Sequence, residues 1–120
     1  MDYWGYHLIV DAGGCDIKKI KSKKNVEAFA VELVKAIDMV AYGKPQVVNF
    51  GSGNKEGFTL VQLIETSNIT GHFCNENGAA YIDVFSCKPF EQDVAVATIQ
   101  KFFGPKKYNI TYIERNAPEV

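Results

Sequence analysis

Phe58-Thr59-Leu60-Val61-Gln62-Leu63-Ile64-Glu65-Thr66-Ser67-Asn68-Ile69-Thr70-Gly71-His72-Phe73 is the stretch on which the fold turns. Phe58 to Glu65 alternates as a strand, with Phe58, Leu60 and Gln62 on one face and Thr59, Val61 and Leu63 on the other. Thr66-Ser67 interrupts it, and Ile69 to Phe73 reads as a short returning strand. Asn75-Glu76-Asn77-Gly78 is a strong turn signal, after which Ala79 to Phe85 pairs back as a further strand. Three successive antiparallel strands therefore form the centre of the expected sheet.

Upstream, Tyr6 to Asp11 reads as a first strand, stopped by Gly13-Gly14. Apolar residues at Val26, Phe29, Ala30, Leu33, Ile37 and Val40 have helical spacing, predicting a helix from Val26 to about Ala41 with Asn25 as N-cap. Tyr42-Gly43-Lys44-Pro45 ends it, and Gln46 to Phe50 is a second strand. Gly51-Ser52-Gly53-Asn54-Lys55-Glu56-Gly57 lacks the Gly-Lys-Ser/Thr ending of a phosphate loop and reads as a hairpin connection. Downstream, Pro89 suits the first turn of a second helix, whose apolar face is Ala95, Val96, Ile99, Phe102 and Phe103. Gly104-Pro105 stops that helix, and Tyr108 to Ile113 is the last strand. The order β-α-β-β-β-β-α-β predicts an α+β fold, a two-layer α/β sandwich whose largely antiparallel sheet carries two helices on one face.

Composition sets limits on function. A chain of 120 residues that is 47% hydrophobic is expected to fold as a single domain, residues 1-120. Thirteen Lys and Arg against fourteen Asp and Glu lack the basic excess of a nucleic-acid surface. The one basic run, Lys18-Lys19-Ile20-Lys21-Ser22-Lys23-Lys24, reads as a solvated loop. Cys15, Cys74 and Cys87 have no zinc-type spacing. Met1-Asp2-Tyr3-Trp4 does not resemble a signal peptide, and no apolar run approaches membrane-spanning length, so a cytoplasmic protein with reduced thiols is expected.

The chemistry is expected around Ser67. A histidine stands five residues on, at His72, and a cysteine twenty on, at Cys87; strands that fold back would gather them into one reactive cluster. A Ser-His-carboxylate hydrolase has little support with only His7 and His72 available. A self-processing reading explains the local grouping better. Ser67 at a strained strand break attacks the carbonyl of Thr66, converting the peptide to an ester. His72 removes the Cα proton of residue 67, elimination cuts the chain, and hydrolysis of the dehydroalanine leaves a pyruvoyl group. A hydroxyl from the third strand, such as Thr59, stabilises the oxyanion. The pyruvoyl carbonyl condenses with a substrate amine and draws off electrons as CO2 leaves, work done elsewhere by pyridoxal phosphate. Cys87 then returns a proton if its strand lies beside residue 67.

Tyr6-His7-Leu8-Ile9-Val10-Asp11 through Cys15-Asp16, the Ser67 and His72 pair, and Gly78-Ala79-Ala80-Tyr81-Ile82-Asp83-Val84-Phe85-Ser86-Cys87 together resemble the short prokaryotic S-adenosylmethionine decarboxylases over nearly the whole chain. The resemblance implies cleavage between Thr66 and Ser67, giving a β chain 1-66 and an α chain 67-120 that carries the pyruvoyl group made from Ser67. It implies His72 as processing base, Thr59 at a hydroxyl position usually held by serine, and Cys87 as catalytic proton donor. It also implies a homodimer of the proenzyme, decarboxylated S-adenosylmethionine for spermidine synthesis, and no metal or pyridoxal phosphate.

Glu65 and Glu76 are candidate substrate contacts. Phe50 either stacks on an adenine or faces the sulfonium charge, or else belongs to the core. The chain departs from the family pattern at three places. Thr66 stands where glutamate usually precedes the cleaved serine, Asn68 where histidine follows it, and Cys74-Asn75 where Trp-Pro precedes the glutamate matching Glu76. These departures keep two rivals open: the same chemistry on another amino acid such as ornithine or arginine, or a non-catalytic homologue binding S-adenosylmethionine or a partner subunit. His7, Cys15 and Cys74 are read as structural.

Overall fold

Alternation of apolar and polar residues through 57–74 builds two paired strands, and the rest of the sheet grows outward from that hairpin. The computed structural model describes residues 3–120; Met1 and Asp2, part of the N-terminal reading, lie outside the described residues. The elements are β1 (Gly5–Gly13), α1 (Ile17–Ile20), α2 (Lys23–Ala36), β2 (Gln46–Phe50), a single 3-10 turn (Gly53–Lys55), β3 (Gly57–Ile64), β4 (Ser67–Cys74), β5 (Ala79–Ser86), α3 (Gln92–Phe103) and β6 (Lys107–Arg115). The six strands form one sheet in the order β2-β3-β4-β5-β1-β6, and every pairing is antiparallel. This is the expected α+β sandwich, with the helices on one face of the sheet.

Strand alternation sends two sets of side chains to opposite faces. Leu8, Val10, Leu60, Ile64, Ile69, Phe73, Ile82 and Val84 point into the core, where they meet Val26, Phe29, Leu33, Ile99 and Phe103 from α2 and α3. Phe103 is fully buried, and its ring centroid lies 4.8 Å from that of Phe29 and 4.8 Å from that of Phe73. Burying such a ring contributes about 1.5–3 kcal/mol. Close packing of the chain on itself requires glycine at residue 57, where a Cβ would lie 1.6 Å from the Phe73 carbonyl oxygen. Gly78 closes the β4–β5 turn at φ +75°, a conformation that side chains disfavour.

Among the described residues no helix lies over the other face of the sheet. Three rows of directly opposed residues cross it: Val48, Thr59, His72, Tyr81 and Asp11; Gln46, Val61, Thr70, Asp83 and Ile9; and Leu63, Asn68, Phe85, His7 and Ile113. Leu63, Val48, Phe50, Tyr81 and Ile113 on this face are all exposed.

Several local expectations are corrected. The long helix starts earlier and ends earlier than its apolar spacing suggests. Ser22 caps it, its Oγ accepting the Asn25 amide at 3.1 Å, while the Asn25 side chain instead donates to the carbonyls of Lys19 and Phe102. The helix stops at Ala36 because Asp38 turns to φ +58°, which leaves Val40 59% exposed rather than on the apolar face. The basic run is helical, not a loop: Lys18 and Lys19 lie in α1, capped by Asp16, and Lys23 and Lys24 open α2. Pro89 precedes the last helix, which begins at Gln92. Ser67 belongs to β4 rather than to a break before it.

Candidate functional site

The β3–β4 connection is a tight turn of Glu65 and Thr66, closed by the pairing of Ile64 with Ser67. Thr66 sits at φ +59°, one of two non-glycine residues with positive φ among those described. A β-branched residue in the left-handed region is strained by about 1–2 kcal/mol. That strain adjoins the Thr66–Ser67 peptide bond.

Sheet order then brings the end of β5 to the same place. The Cys87 amide donates to Ser67 Oγ at 3.1 Å, fixing the hydroxyl, and Ser67 is only 9% exposed. Thr66 Oγ1 lies 2.6 Å from Cys87 Sγ. The segment after α2 closes over this end: the Glu65 amide donates to the Val40 carbonyl at 3.1 Å, and the Tyr42 amide to the Leu63 carbonyl at 2.9 Å. Lys88 Nζ donates to the Asp38 carbonyl oxygen and stands 3.8 Å from the Asp38 carboxylate. Met39, Val40, Thr66, Ser67, Cys87 and Lys88 thus line a cleft of about 260 Å³.

His72 is not in this cleft. It is five residues along β4 from Ser67, so alternation turns it to the open face, about 16 Å away along the strand at ~3.3 Å per residue. There it stands directly opposite Thr59 on β3, with Thr59 Oγ1 3.3 Å from its Nδ1. Within one chain the expected single cluster is therefore two: Thr66, Ser67 and Cys87 at one end, Thr59 and His72 on the open face.

The remaining candidates divide similarly. Glu65 is exposed in the turn beside Thr66 and borders the Ser67 cleft. Glu76 is exposed in the β4–β5 turn and borders a second cavity of about 430 Å³, together with His72, Cys74, Asn54 and Tyr81. Phe50 is not in the core: it is 59% exposed at the end of β2, on the open face.

Of the residues read as structural, His7 Nε2 meets Asp83 Oδ1 at 2.9 Å, and Cys15 is buried. Burial pushes the Cys15 thiol up to about 11. Sequence reasoning missed the cleft wall of Met39, Val40 and Lys88, and it missed Tyr81. The signal for Tyr81 was present, a large aromatic at an outward-facing strand position.

The donor set fits a group generated from Ser67: a hydroxyl held by a backbone amide, a left-handed threonine before it, and a thiol beside it. Among the described residues no three His, Cys, Asp or Glu side chains gather into a metal-binding group.

Comparison with known proteins places this geometry in context. A sequence profile described as S-adenosylmethionine decarboxylase matches residues 6–116. A protein of Clostridium botulinum (strain Langeland) named S-adenosylmethionine decarboxylase proenzyme is 30% identical over 116 residues, covering 96% of this chain and 97% of its own. One of the same name from Methanococcus maripaludis is 29% identical over 121 residues, covering 100% and 96%. The crystal structure of the adenosylmethionine decarboxylase from Aquifex aeolicus superposes with a TM-score of 0.83 at 25% identity, over 99% of this chain and 96% of that one.

Proposed function

The chain belongs to the S-adenosylmethionine decarboxylase family, and from that premise we propose that it is a proenzyme which cuts itself between Thr66 and Ser67 and decarboxylates S-adenosylmethionine. The observation that carries this reading is the juxtaposition at one turn of left-handed Thr66, the amide-held Ser67 hydroxyl and the Cys87 thiol. Relatives that align over nearly the whole chain are named as the decarboxylase proenzyme, which favours this substrate over ornithine or arginine and activity over a non-catalytic role.

Ser67 Oγ attacks the Thr66 carbonyl carbon, the peptide C–N bond breaks, and an ester joins residue 66 to the side chain of residue 67. A base then takes the Cα proton of residue 67, the ester C–O bond cleaves, and the Thr66 carboxylate departs as the end of a β chain 1-66. Hydrolysis of the dehydroalanine releases ammonia and leaves a pyruvoyl group at the head of the α chain 67-120. That group supplies an electron sink for loss of the substrate carboxylate. Cys87, adjoining residue 67, delivers the proton that replaces the carboxylate at the substrate Cα.

The base is His72, and its distance from Ser67 in one chain is the argument for a homodimer. The open face, with Val48, Phe50, Leu63 and Ile113 exposed among polar residues, suits a second copy, since sheets pack face to face about 10 Å apart. A two-fold relation lays the His72 end of one sheet over the Ser67 end of the other. Thr59 orients the imidazole: when His72 Nδ1–H donates to Thr59 Oγ1, Nε2 is left free to accept the proton.

The reading includes a cytoplasmic enzyme supplying decarboxylated S-adenosylmethionine for spermidine biosynthesis; among the described residues no helix is long and apolar enough to cross a membrane.

Intact mass under denaturing conditions tests it. Two fragments divided at Thr66/Ser67, the second with a blocked N-terminus, are expected, together with CO2 release from carboxyl-labelled S-adenosylmethionine. A single uncut chain of 13.3 kDa that persists for days would defeat it.

A further inference from the structure

Self-cleavage leaves behind a negative charge that the Ser67 cleft must hold. Its second step breaks the Cβ–Oγ bond of residue 67, and the electron pair of that bond leaves with the Thr66 carboxyl group as a carboxylate. Glu65 already lines the same cleft, so the departing group joins a like charge in the turn. Among the described residues that border the cleft, Lys88 is the one cationic side chain. Its backbone is pinned by buried Ser86, whose Oγ accepts the Lys88 amide at 3.1 Å and donates to the Lys88 carbonyl at 2.8 Å. Its Nζ reaches across to donate to the Asp38 carbonyl oxygen. Two residues further along that segment, the Val40 carbonyl accepts the Glu65 amide. Lys88 therefore runs from the residue beside Cys87 to the segment that holds the scissile turn.

We propose that Lys88 is the counter-charge for the carboxylate expelled from residue 66, and so a further residue of the self-cleavage reaction. The inference rests on the self-cutting reading and deepens it. An ammonium has three donors, and the Asp38 carbonyl takes one. The Asp38 carboxylate does not take another: it stands 3.8 Å away on a fully exposed side chain, where water weakens the attraction. Lys88 thus keeps donors in reserve at the cleft, on a flexible stem that carries them to a new partner. In the ester the group to be expelled is neutral, and it becomes anionic only as the Cβ–Oγ bond breaks. A cation placed there favours the transition state over the ester. The base takes the Cα proton and Lys88 stays an ammonium throughout, so no proton passes to the carboxylate. The same charge is ill suited to the later decarboxylation, since pairing with the substrate carboxylate stabilises the group that must lose its charge as CO2.

The test follows precursor made by cell-free synthesis, as wild type, Lys88→Gln and Lys88→Arg, by intact mass with and without hydroxylamine. Hydroxylamine converts an ester at residue 66 to a hydroxamate. It frees an α chain that begins with unmodified serine, distinct in mass from the pyruvoyl chain. Lys88→Gln is expected to form the pyruvoyl chain about 10- to 100-fold more slowly, the loss of one hydrogen bond to a charged group. Hydroxylamine is expected to divert that variant to the serine-headed chain. Lys88→Arg, which keeps the charge, restores most of the rate. A Lys88→Gln chain that cuts itself at the wild-type rate overturns the inference and leaves the self-cutting reading standing; if its KM for S-adenosylmethionine is raised, the cation serves the substrate instead. Slow cutting without the hydroxylamine product also overturns it, because the lysine then acts before the ester forms. A wild-type chain that stays whole overturns the self-cutting reading, and this inference with it.

Discussion

Ser67 and His72 lie on the same strand and face opposite sides of the sheet. Ser67 points toward the helix layer, its Oγ held by the Cys87 amide, whereas His72 points to the open face beside Thr59. A chain acting alone has no base at the Thr66–Ser67 bond from this histidine.

Complementation between copies follows directly. Ser67→Ala and His72→Ala are each expected to remain uncut when expressed alone. Expressed together, mixed dimers pair an intact Ser67 with an intact His72 from the other chain, and the His72→Ala chains in those dimers are expected to be cut. Tagging the two chains differently and weighing the fragments checks this. His72→Ala chains that stay whole in the mixture would place the base elsewhere.

The open face itself supplies a second prediction. Leu63 is 52% exposed in the outward row with Asn68 and Phe85, so Leu63→Glu leaves the core untouched. A charge buried between two sheets is costly. The variant is expected to sediment as a monomer with a melting temperature near that of a monomeric wild type, and to process at a small fraction of the normal rate. A dimer that still cuts itself would show that another face associates.

Thr66→Gly addresses the strained turn. Glycine occupies φ +59° without the cost borne by threonine. If the strain of about 1–2 kcal/mol is relieved during attack on the peptide bond, removing it slows self-cleavage by roughly 5- to 30-fold. Single-turnover cleavage followed by mass after unfolded precursor is refolded gives the rate. An equal or faster rate for Thr66→Gly means the turn geometry does not drive the reaction.

For Cys87→Ala, cleavage is expected to proceed, because the amide that holds Ser67 Oγ belongs to the backbone. Turnover is expected to fall by about 10²–10⁴-fold, the range for loss of a positioned acid. Loss of cleavage and turnover in equal measure would instead assign Cys87 to processing.

Cys15 gives a pH-dependent contrast. Its thiol is raised to about 11 by burial, so its thiolate appears only as pH approaches that value, and its side chain is 5% exposed. Iodoacetamide at pH 8 is expected to label Cys74 and Cys87 and spare Cys15 until the protein is unfolded. Peptide mapping reads the three sites separately.

Much of this was legible in the residues. The alternation at 58–64, the Asn75–Gly78 turn and the apolar face of α3 named the right elements, because side-chain period and turn chemistry are local properties. Helix limits were less legible. Val40 continues the helical spacing, but Ser22 caps early and Asp38 turns the chain left-handed, so capping and backbone geometry prevailed over periodicity. The basic run misled because lysine tolerates a helix as readily as a loop, and only the caps at Asp16 and Ser22 decide between them. The odd spacing of Ser67 and His72 implied opposite faces as soon as both stood on one strand. The Thr66-Ser67 interruption hides this in the sequence, because nothing local shows that β4 already begins at Ser67.

The sequence by itself determined the strands and the spacing of Ser67, His72 and Cys87, since these depend on periodicity and on the order of single side chains. Only the tertiary structure decided which of them meet. The order β2-β3-β4-β5-β1-β6 brings Cys87, twenty residues distant, to the side of Ser67, and the strand's two-residue period carries His72, only five away, to the far face. Proximity in a sheet is set by register and by face, so residues distant in the chain can meet while near neighbours on one strand are turned apart.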